Sequence, residues 1–452
     1  MGLINRAISY LNSLLTIKNS HGVLLAENRL ADKAPGSPEC FGLKRYIVKN
    51  FFWRGLQTFG KQGLFFIVFT IGARLLPQQN FGIYNYVMAS VMLLTLFCDF
   101  GISKATSRHI AMSRELKIDS YEETVFNMSL LSLLVGFLVL IFLVFFGKIF
   151  FGSNYVYILY ASPLIFLVSF ASIQEGLFMG LEKFKKLSII ILVSGVLNIL
   201  TSYVLIKKFG ISGAILGQVL FYITESALLM IFHGRIAFKF KKRIIYTIGK
   251  YSLIIGISGL GYFLFSRIDI VILGHFGFIK QIANYEIINK LFAILITPAT
   301  IISSVVGPRI ALLFAKKESK EIWSSYKKTL LLTGVGSALI LVVSFLFFNF
   351  IIRILFPGYS IMELKRIFLI ISILLMSQSL STVISAGFSI STGHAKLNMV
   401  FLLVFGTLSI PANLLAVNTY GFAGVLYTTL MIKLLSDLLY IYKYTRILYA
   451  SR

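Results

Sequence analysis

Acidic residues are scarce: Asp and Glu total 17 against 43 Lys and Arg, and charged side chains of both signs make up only 13% of the 452 positions. Average proteins carry about 25% charged residues, so this chain has too little solvating charge for a cytosolic enzyme of its length. Only two cysteines occur, Cys40 and Cys98, which excludes a disulfide framework. The histidines, His21, His109, His233, His275 and His394, are scattered and match no metal-ligand spacing. Neither a Gly-x-x-x-x-Gly-Lys-Ser/Thr loop nor a Gly-x-Ser-x-Gly elbow is present, so neither an ATPase nor a hydrolase site is expected. We therefore expect no enzyme activity, no cofactor and no metal. The first long apolar run starts near Phe51 without a short apolar segment and cleavage site ahead of it, so no cleavable signal peptide is expected.

What the chain has is hydrophobic length. Hydrophobic residues make up 57% of it, and windows of roughly 20 apolar residues, enough to cross about 30 Å of hydrocarbon, recur throughout. They predict an all-α integral membrane protein with about twelve spans. The spans run near 51–75, 81–104, 124–148, 154–180, 185–206, 210–232, 248–275, 284–309, 328–351, 364–390, 395–417 and 419–442. The excess of positive charge could suggest a nucleic-acid partner, but the basic residues sit in short clusters between the apolar runs, which argues against one. Clusters such as Lys183, Lys185 and Lys186, or Lys316, Lys317 and Lys320, fall on the side that carries both termini. The positive-inside rule then places both termini in the cytoplasm. The first fifty residues are polar and mixed, with Ile4, Ile8, Leu11 and Leu15 at helical spacing.

Two halves of the sequence echo each other, as secondary transporters commonly do. Phe209-Gly210-Ile211-Ser212-Gly213-Ala214 opens the sixth span and Tyr420-Gly421-Phe422-Ala423-Gly424-Val425 the twelfth; Asn198 and Asn413 precede them. Six spans per half is an even number, so both halves enter from the same side. The expected architecture is two six-helix bundles related by a parallel pseudo-two-fold axis: 1–47 as a cytosolic extension, 48–235 as the first bundle and 236–452 as the second.

Across roughly 48–445 the chain resembles the polysaccharide transporter branch of the multidrug, oligosaccharidyl-lipid and polysaccharide exporter superfamily. The resemblance rests on Gly72-Ala73-Arg74-Leu75-Leu76 leading to Asn80-Phe81-Gly82-Ile83-Tyr84, on Asp99-Phe100-Gly101-Ile102, on Gly176 to Phe184, and on Arg267-Ile268-Asp269. It implies a flippase that moves an undecaprenyl-pyrophosphate-linked oligosaccharide across a bacterial cytoplasmic membrane for O-antigen, capsule or a related polymer. Membrane lipid, a coupling proton or sodium ion, and polymerase machinery are the partners it implies. A cation-coupled multidrug exporter would want an acidic site in the first bundle, and the first span has no Asp or Glu. Lipid II flippases usually have fourteen spans, and a polymerase or glycosyltransferase would show a large outer loop.

Cations near the bilayer centre cost about 2.5 to 3.5 kcal/mol each on insertion scales, so each asks for a partner or a watery cavity. Arg54, Gln57 and Lys61 share one face of the first span, and Asp99, Glu175 and Glu225 are the carboxylates that could pair with Lys61. Arg267 and Asp269, two positions apart, point to different faces, whereas Glu286 with Lys290 and Lys433 with Asp437 have the spacing of local ion pairs. We expect Arg54, Lys61, Arg267 and Lys290 to line a wet cleft between the bundles and to bind the diphosphate. Gln57, Asp99, Asp269 and Glu286 are the expected polar or coupling residues. Gly256, Gly259 and Gly261 are either bending points or close-packing positions in the seventh span.

Overall fold

A computed structural model of the protein describes residues 38–116, 120–233 and 238–450, with side chains described from Phe52 onward and not for 114–116. The Ile4 to Leu15 stripe and the Cys40 side chain lie outside the described residues. Described elements are helical throughout, as expected. Helix α1 spans Pro38–Leu75, α2 Gln78–Asp99, α3 Ile102–Leu116 and α4 Tyr121–Phe151. A short α5, Tyr155–Tyr160, leads into α6, Pro163–Gly180, and then α7, Phe184–His233. The second half contains α8, Lys242–His275, α9, Ile279–Ala315, and α10, Ser319–Leu355. It closes with α11, Ile361–Ser372, α12, Leu374–Thr382, a π-helical turn over Val383–Ser389, and α13, Ala395–Ala450.

Eight of the described helices are long and apolar enough to cross a membrane, or nine if the pair bent by 47° around Ile373 is one span. Two of the eight, α7 and α13, are each two crossings. Their backbones break at Gly210 (φ 56°, ψ −126°) and Gly421 (φ 59°, ψ −140°), a region that an L side chain rarely enters. The chain folds back at each break, so that Gly213 abuts the Leu205 carbonyl and Gly424 the Ala416 carbonyl. Asn198 accepts from Ser202 at 2.8 Å within the first hairpin, and Asn413 accepts from Thr429 at 3.3 Å across the second. The two similar sequence motifs thus make the same sharp turn. With α1, whose apolar stretch carries Lys61, Gln62 and Arg74, the helices account for the expected crossings.

A methyl at position 213 would collide with backbone that cannot rotate away. Gly213→Ala should therefore lower the thermal unfolding midpoint, at a cost of about 1–3 kcal/mol as for other overpacked sites. Gly336→Ala, where a new Cβ meets open space, should leave the midpoint near that of the parent in the same detergent melt.

The second expected span, 81–104, ends at Asp99, and the stretch between it and the third forms helix α3. Its buried Ile102, Ala105, Thr106 and Ile110 make one stripe, and exposed Lys104 and Arg108 lie off it. The backbone carbonyls of Ser103 and Ser107 pack directly on Gly176 and Gly180 of α6. Within α8, Gly256 is pressed against the Phe100 ring, Gly259 faces Leu96, and Gly261 faces Leu403. Close packing rather than bending is therefore their visible role.

The turns at Gly210 and Gly421 lie on one face of the membrane domain, here termed the hairpin face, and the loops after α6 and α9 lie on the opposite, terminal face. The two halves meet along α2, which packs on α8 and α9, and one apolar core joins Phe81 and Tyr86 to Ile270, Ile282 and Ile287. At the hairpin face Gly82 of α2 lies against the Ile279 carbonyl. Gln78 donates to Asn284 at 2.8 Å, and Asn284 donates to Glu363 at 2.9 Å. Arg74 reaches the carbonyls of Ile354 and Leu355 at the end of α10.

Candidate functional site

The charged residues expected inside the bilayer fall into two clusters. In the first half Lys61 lies about 21 Å before the end of α1 at about 1.5 Å per residue. Its ammonium donates to Glu175 of α6 at 2.6 Å and to Glu225 of α7 at 2.9 Å. Phe221 and Tyr222 present ring faces 5.5 and 5.8 Å away. Lys61 is therefore not the bare cation expected on an acid-free helix. Two of the three candidate carboxylates converge on it from other helices, giving two negative charges to one positive.

Arg54, two turns from Lys61 toward the terminal end of α1, is exposed; it donates to Gln57 at 3.3 Å, touches the Met179 sulfur and lies over the Phe184 ring. Gln57 is buried. The expected grouping of Arg54 and Lys61 with Arg267 and Lys290 on one diphosphate is not what this conformation shows, because the first pair is held by α6 and α7.

Asp99, expected as a cleft or coupling residue, is engaged locally in this conformation. Its carboxylate accepts from the Ser103 amide and hydroxyl, both at 3.0 Å, and so closes the first turn of α3 after the left-handed residues Phe100 and Gly101. Removing the acceptor, as in Asp99→Ala, should cost about 0.5–2 kcal/mol of stability, the range seen for lost helix caps. Asp99→Asn should be milder, and transport measured on the folded fraction should be unchanged in both.

The second half holds the richer cluster. Arg267, about 12 Å from the hairpin end of α8, donates to Glu286 of α9 at 2.7 Å. Asn289 donates to the same carboxylate at 3.2 Å. Asp269 turns away from Arg267, as the two-residue spacing predicts, and accepts from the Tyr285 hydroxyl at 2.5 Å. Here two local pairs expected from spacing are replaced. Glu286 is taken by Arg267 rather than by Lys290, and Asp437 is held by the hydroxyls of Ser377, at 3.1 Å, and Ser381, at 2.7 Å, rather than by Lys433. Spacing along one helix only brings groups within reach; a guanidinium or a pair of hydroxyls from a neighbouring helix competes better for the carboxylate.

Lys290 and Lys433 are consequently left without a hydrogen bond or ion pair among the described residues. Lys290 is half-buried about 16 Å into α9, with its ammonium over the Phe69 ring of α1 at 5.6 Å. Lys433, half-buried about 18 Å beyond the Gly421 turn, is within electrostatic range of Asp269, Arg267, Asp437 and Glu286. Sequence reading missed Lys433 as a site residue because its i, i+4 acid looked sufficient. No group of three or more potential metal ligands occurs among the described residues.

Paired helical hairpins that carry charged side chains deep within long apolar helices define a multi-pass membrane protein. The chain belongs to the polysaccharide biosynthesis protein family, whose sequence profile matches residues 47–314, and to the wider multidrug, oligosaccharidyl-lipid and polysaccharide exporter superfamily. A MatE profile matches residues 255–415. An uncharacterised membrane protein of Methanocaldococcus jannaschii is 28% identical over 396 residues, covering 82% of this chain and 91% of that one. Among solved structures, an inward-facing multidrug resistance MATE family transporter superposes with a TM-score of 0.70 at 15% identity, over 86% of this chain and 95% of its own. The lipid II flippase MurJ in an inward closed conformation gives a TM-score of 0.70 at 14% identity, over 86% and 87%.

Proposed function

We propose that the protein is a flippase that carries a polyprenyl-pyrophosphate-linked oligosaccharide across the cytoplasmic membrane for surface polysaccharide assembly, by alternating access between the halves 48–235 and 236–452. The observation that carries this reading is the pair of ammonium groups, Lys290 and Lys433, left unpartnered at membrane depth beside the Arg267–Glu286 pair. A cation without a directly bonded partner is costly there, and an anionic headgroup would offset that cost through charge-assisted hydrogen bonds. The diphosphate-binding set in this reading is Lys290, Lys433 and Arg267. Both termini face the cytoplasm in this reading, so the hairpin face is the outer one, and its contacts are shut in this conformation.

Lys61 takes a different part. The Glu175–Lys61–Glu225 group has one excess negative charge, which suits uptake of a coupling cation rather than of a diphosphate. A drug exporter would also use such a site, but it gives no role to Lys290 and Lys433.

The test is a proteoliposome assay in which a fluorescent polyprenyl-pyrophosphate-linked sugar crosses the bilayer and is captured by a lectin outside. Lys290→Gln and Lys433→Gln should each slow flipping by about tenfold, the loss of roughly 1.4 kcal/mol of headgroup interaction. The double change should cost more, with the fold intact by circular dichroism. Unchanged flipping in the double variant would remove the proposal.

A further inference from the structure

The substrate proposed above has a long apolar chain as well as a charged headgroup, and the polar clusters offer that chain nothing. An apolar groove lies on the membrane-facing side of the second half, between α9 and α10. Its volume is about 480 Å³, and Leu295, Leu339, Val343, Ser344, Phe347 and Ile351 line it. A second hollow of about 250 Å³ shares Leu295, Ser344 and Ile351 with it and adds Phe66 of α1, Leu291, Phe348 and Phe368. The two are therefore one continuous trough. Its floor is firm: Phe348 and Phe368 are buried with ring centroids 4.7 Å apart. Ser344 is the only polar residue on its walls, and that hydroxyl is already spent on the Leu341 carbonyl at 2.8 Å. Nothing in the trough can satisfy a polar ligand.

The trough is not isolated from the charged cluster. Phe66, on its wall, stacks with Phe69 at 6.5 Å, and Phe69 is the ring beneath the unpartnered Lys290 ammonium. Lys290 itself sits one residue before Leu291 and four before Ile294, both of which line the trough. An ammonium without a direct hydrogen bond or ion pair therefore stands beside the apolar trough. That pairing of features is complementary to one kind of molecule, an anionic phosphate at the head of a long hydrocarbon.

We propose that the α9–α10 trough is the subsite for the polyprenyl chain of the transported lipid, with its pyrophosphate at Lys290 and the chain leaving between α1 and α9 past Phe66. The inference rests on the flippase reading and adds to it a site for the part of the substrate that never leaves the bilayer. It assigns Phe66 as the residue the chain passes between cleft and trough.

Undecaprenyl pyrophosphate bearing a diazirine near the end of its chain, photolysed with the full chain in phospholipid nanodiscs and mapped by mass spectrometry, tests this. Labels are expected on the peptides around Leu291 to Leu295 and Leu339 to Ile351, displaced by unlabelled undecaprenyl pyrophosphate and not by dioleoyl phosphatidylglycerol. Val343→Trp, which fills the trough from an exposed position, should reduce that labelling about tenfold, equivalent to about 1.4 kcal/mol. Val335→Trp, exposed on the same helix outside the trough, should not. Labelling at other helices, or displacement by the phospholipid equally well, would overturn the subsite while leaving the flippase reading in place. Absence of any saturable labelling would overturn both.

Discussion

Replacing Lys61 by methionine is expected to abolish most transport and to lower stability more than any other single change at a charged position in the first half. The variant keeps the length and apolar stem of the side chain and removes only the ammonium. Glu175 and Glu225 then face each other with no counter-ion, and Glu225 is fully buried. Breaking a buried ion pair by removing one partner costs about 3–5 kcal/mol, because the remaining charge is desolvated and unpaired. The mean worth of the intact interaction is much smaller, so the penalty belongs to the orphaned acids and is open to rescue. Lys61→Met combined with Glu175→Gln and Glu225→Gln should recover most of the thermal stability. Transport should stay low in the triple variant if the excess carboxylate takes up the coupling cation. Thermal melts and the lectin-capture assay on the single and triple variants separate the two effects. A Lys61→Met protein as stable and as active as the parent would show that the triad has no part in either.

The second large effect is expected at Gly82, where no charge is involved. Gly82 brings α2 against the backbone of α9 at the hairpin face, and a Cβ there would overlap the Ile279 carbonyl. A carbonyl within a helix cannot swing aside, so Gly82→Val must hold the two helices apart. The contacts that depend on that approach lie close by: Gln78 with Asn284, Asn284 with Glu363, and the aromatic pair Phe81 and Tyr359 at 6.3 Å. Alternating access requires each face to close in turn. Gly82→Val should therefore depopulate the conformation described here and cut flipping by roughly tenfold or more, since a shift of about 1.4 kcal/mol is already tenfold in population. The readout is the accessibility of a single cysteine at Ala283, which is buried in this conformation, placed in a Cys40→Ser, Cys98→Ser background, to a membrane-impermeant maleimide. It should rise in Gly82→Val. Equal labelling with and without the valine would mean that the hairpin face is not closed by this contact.

Much of the fold was readable in advance, and the reasons are local. Each crossing is a long apolar run, and hydrocarbon forces such a run to satisfy its own backbone hydrogen bonds as a helix. The two hairpins were readable because they turn on glycines at Gly210 and Gly421, whose backbone angles other residues resist. Helix α3 was not, since its apolar residues are few and its start depends on a carboxylate, Asp99, that looked like a cleft residue. The site was half legible. Cations inside the bilayer can be seen in a sequence, and so can a short menu of acids for each.

The sequence by itself determined that this protein lives in a membrane, crosses it repeatedly, repeats its hairpin turn and carries Lys61, Arg267, Lys290 and Lys433 at depth. Hydrophobic length and backbone angle are properties of neighbouring residues, so a linear text is enough to specify them. Only the tertiary structure decided which of those cations are spent and which are free. Lys61 finds Glu175 and Glu225 at separations of 114 and 164 residues, and Arg267 takes the acid that stood four residues from Lys290. Ionic partnership is settled by distance in space and by competition among helices, which is why the unpartnered charges became identifiable only after the helices were packed.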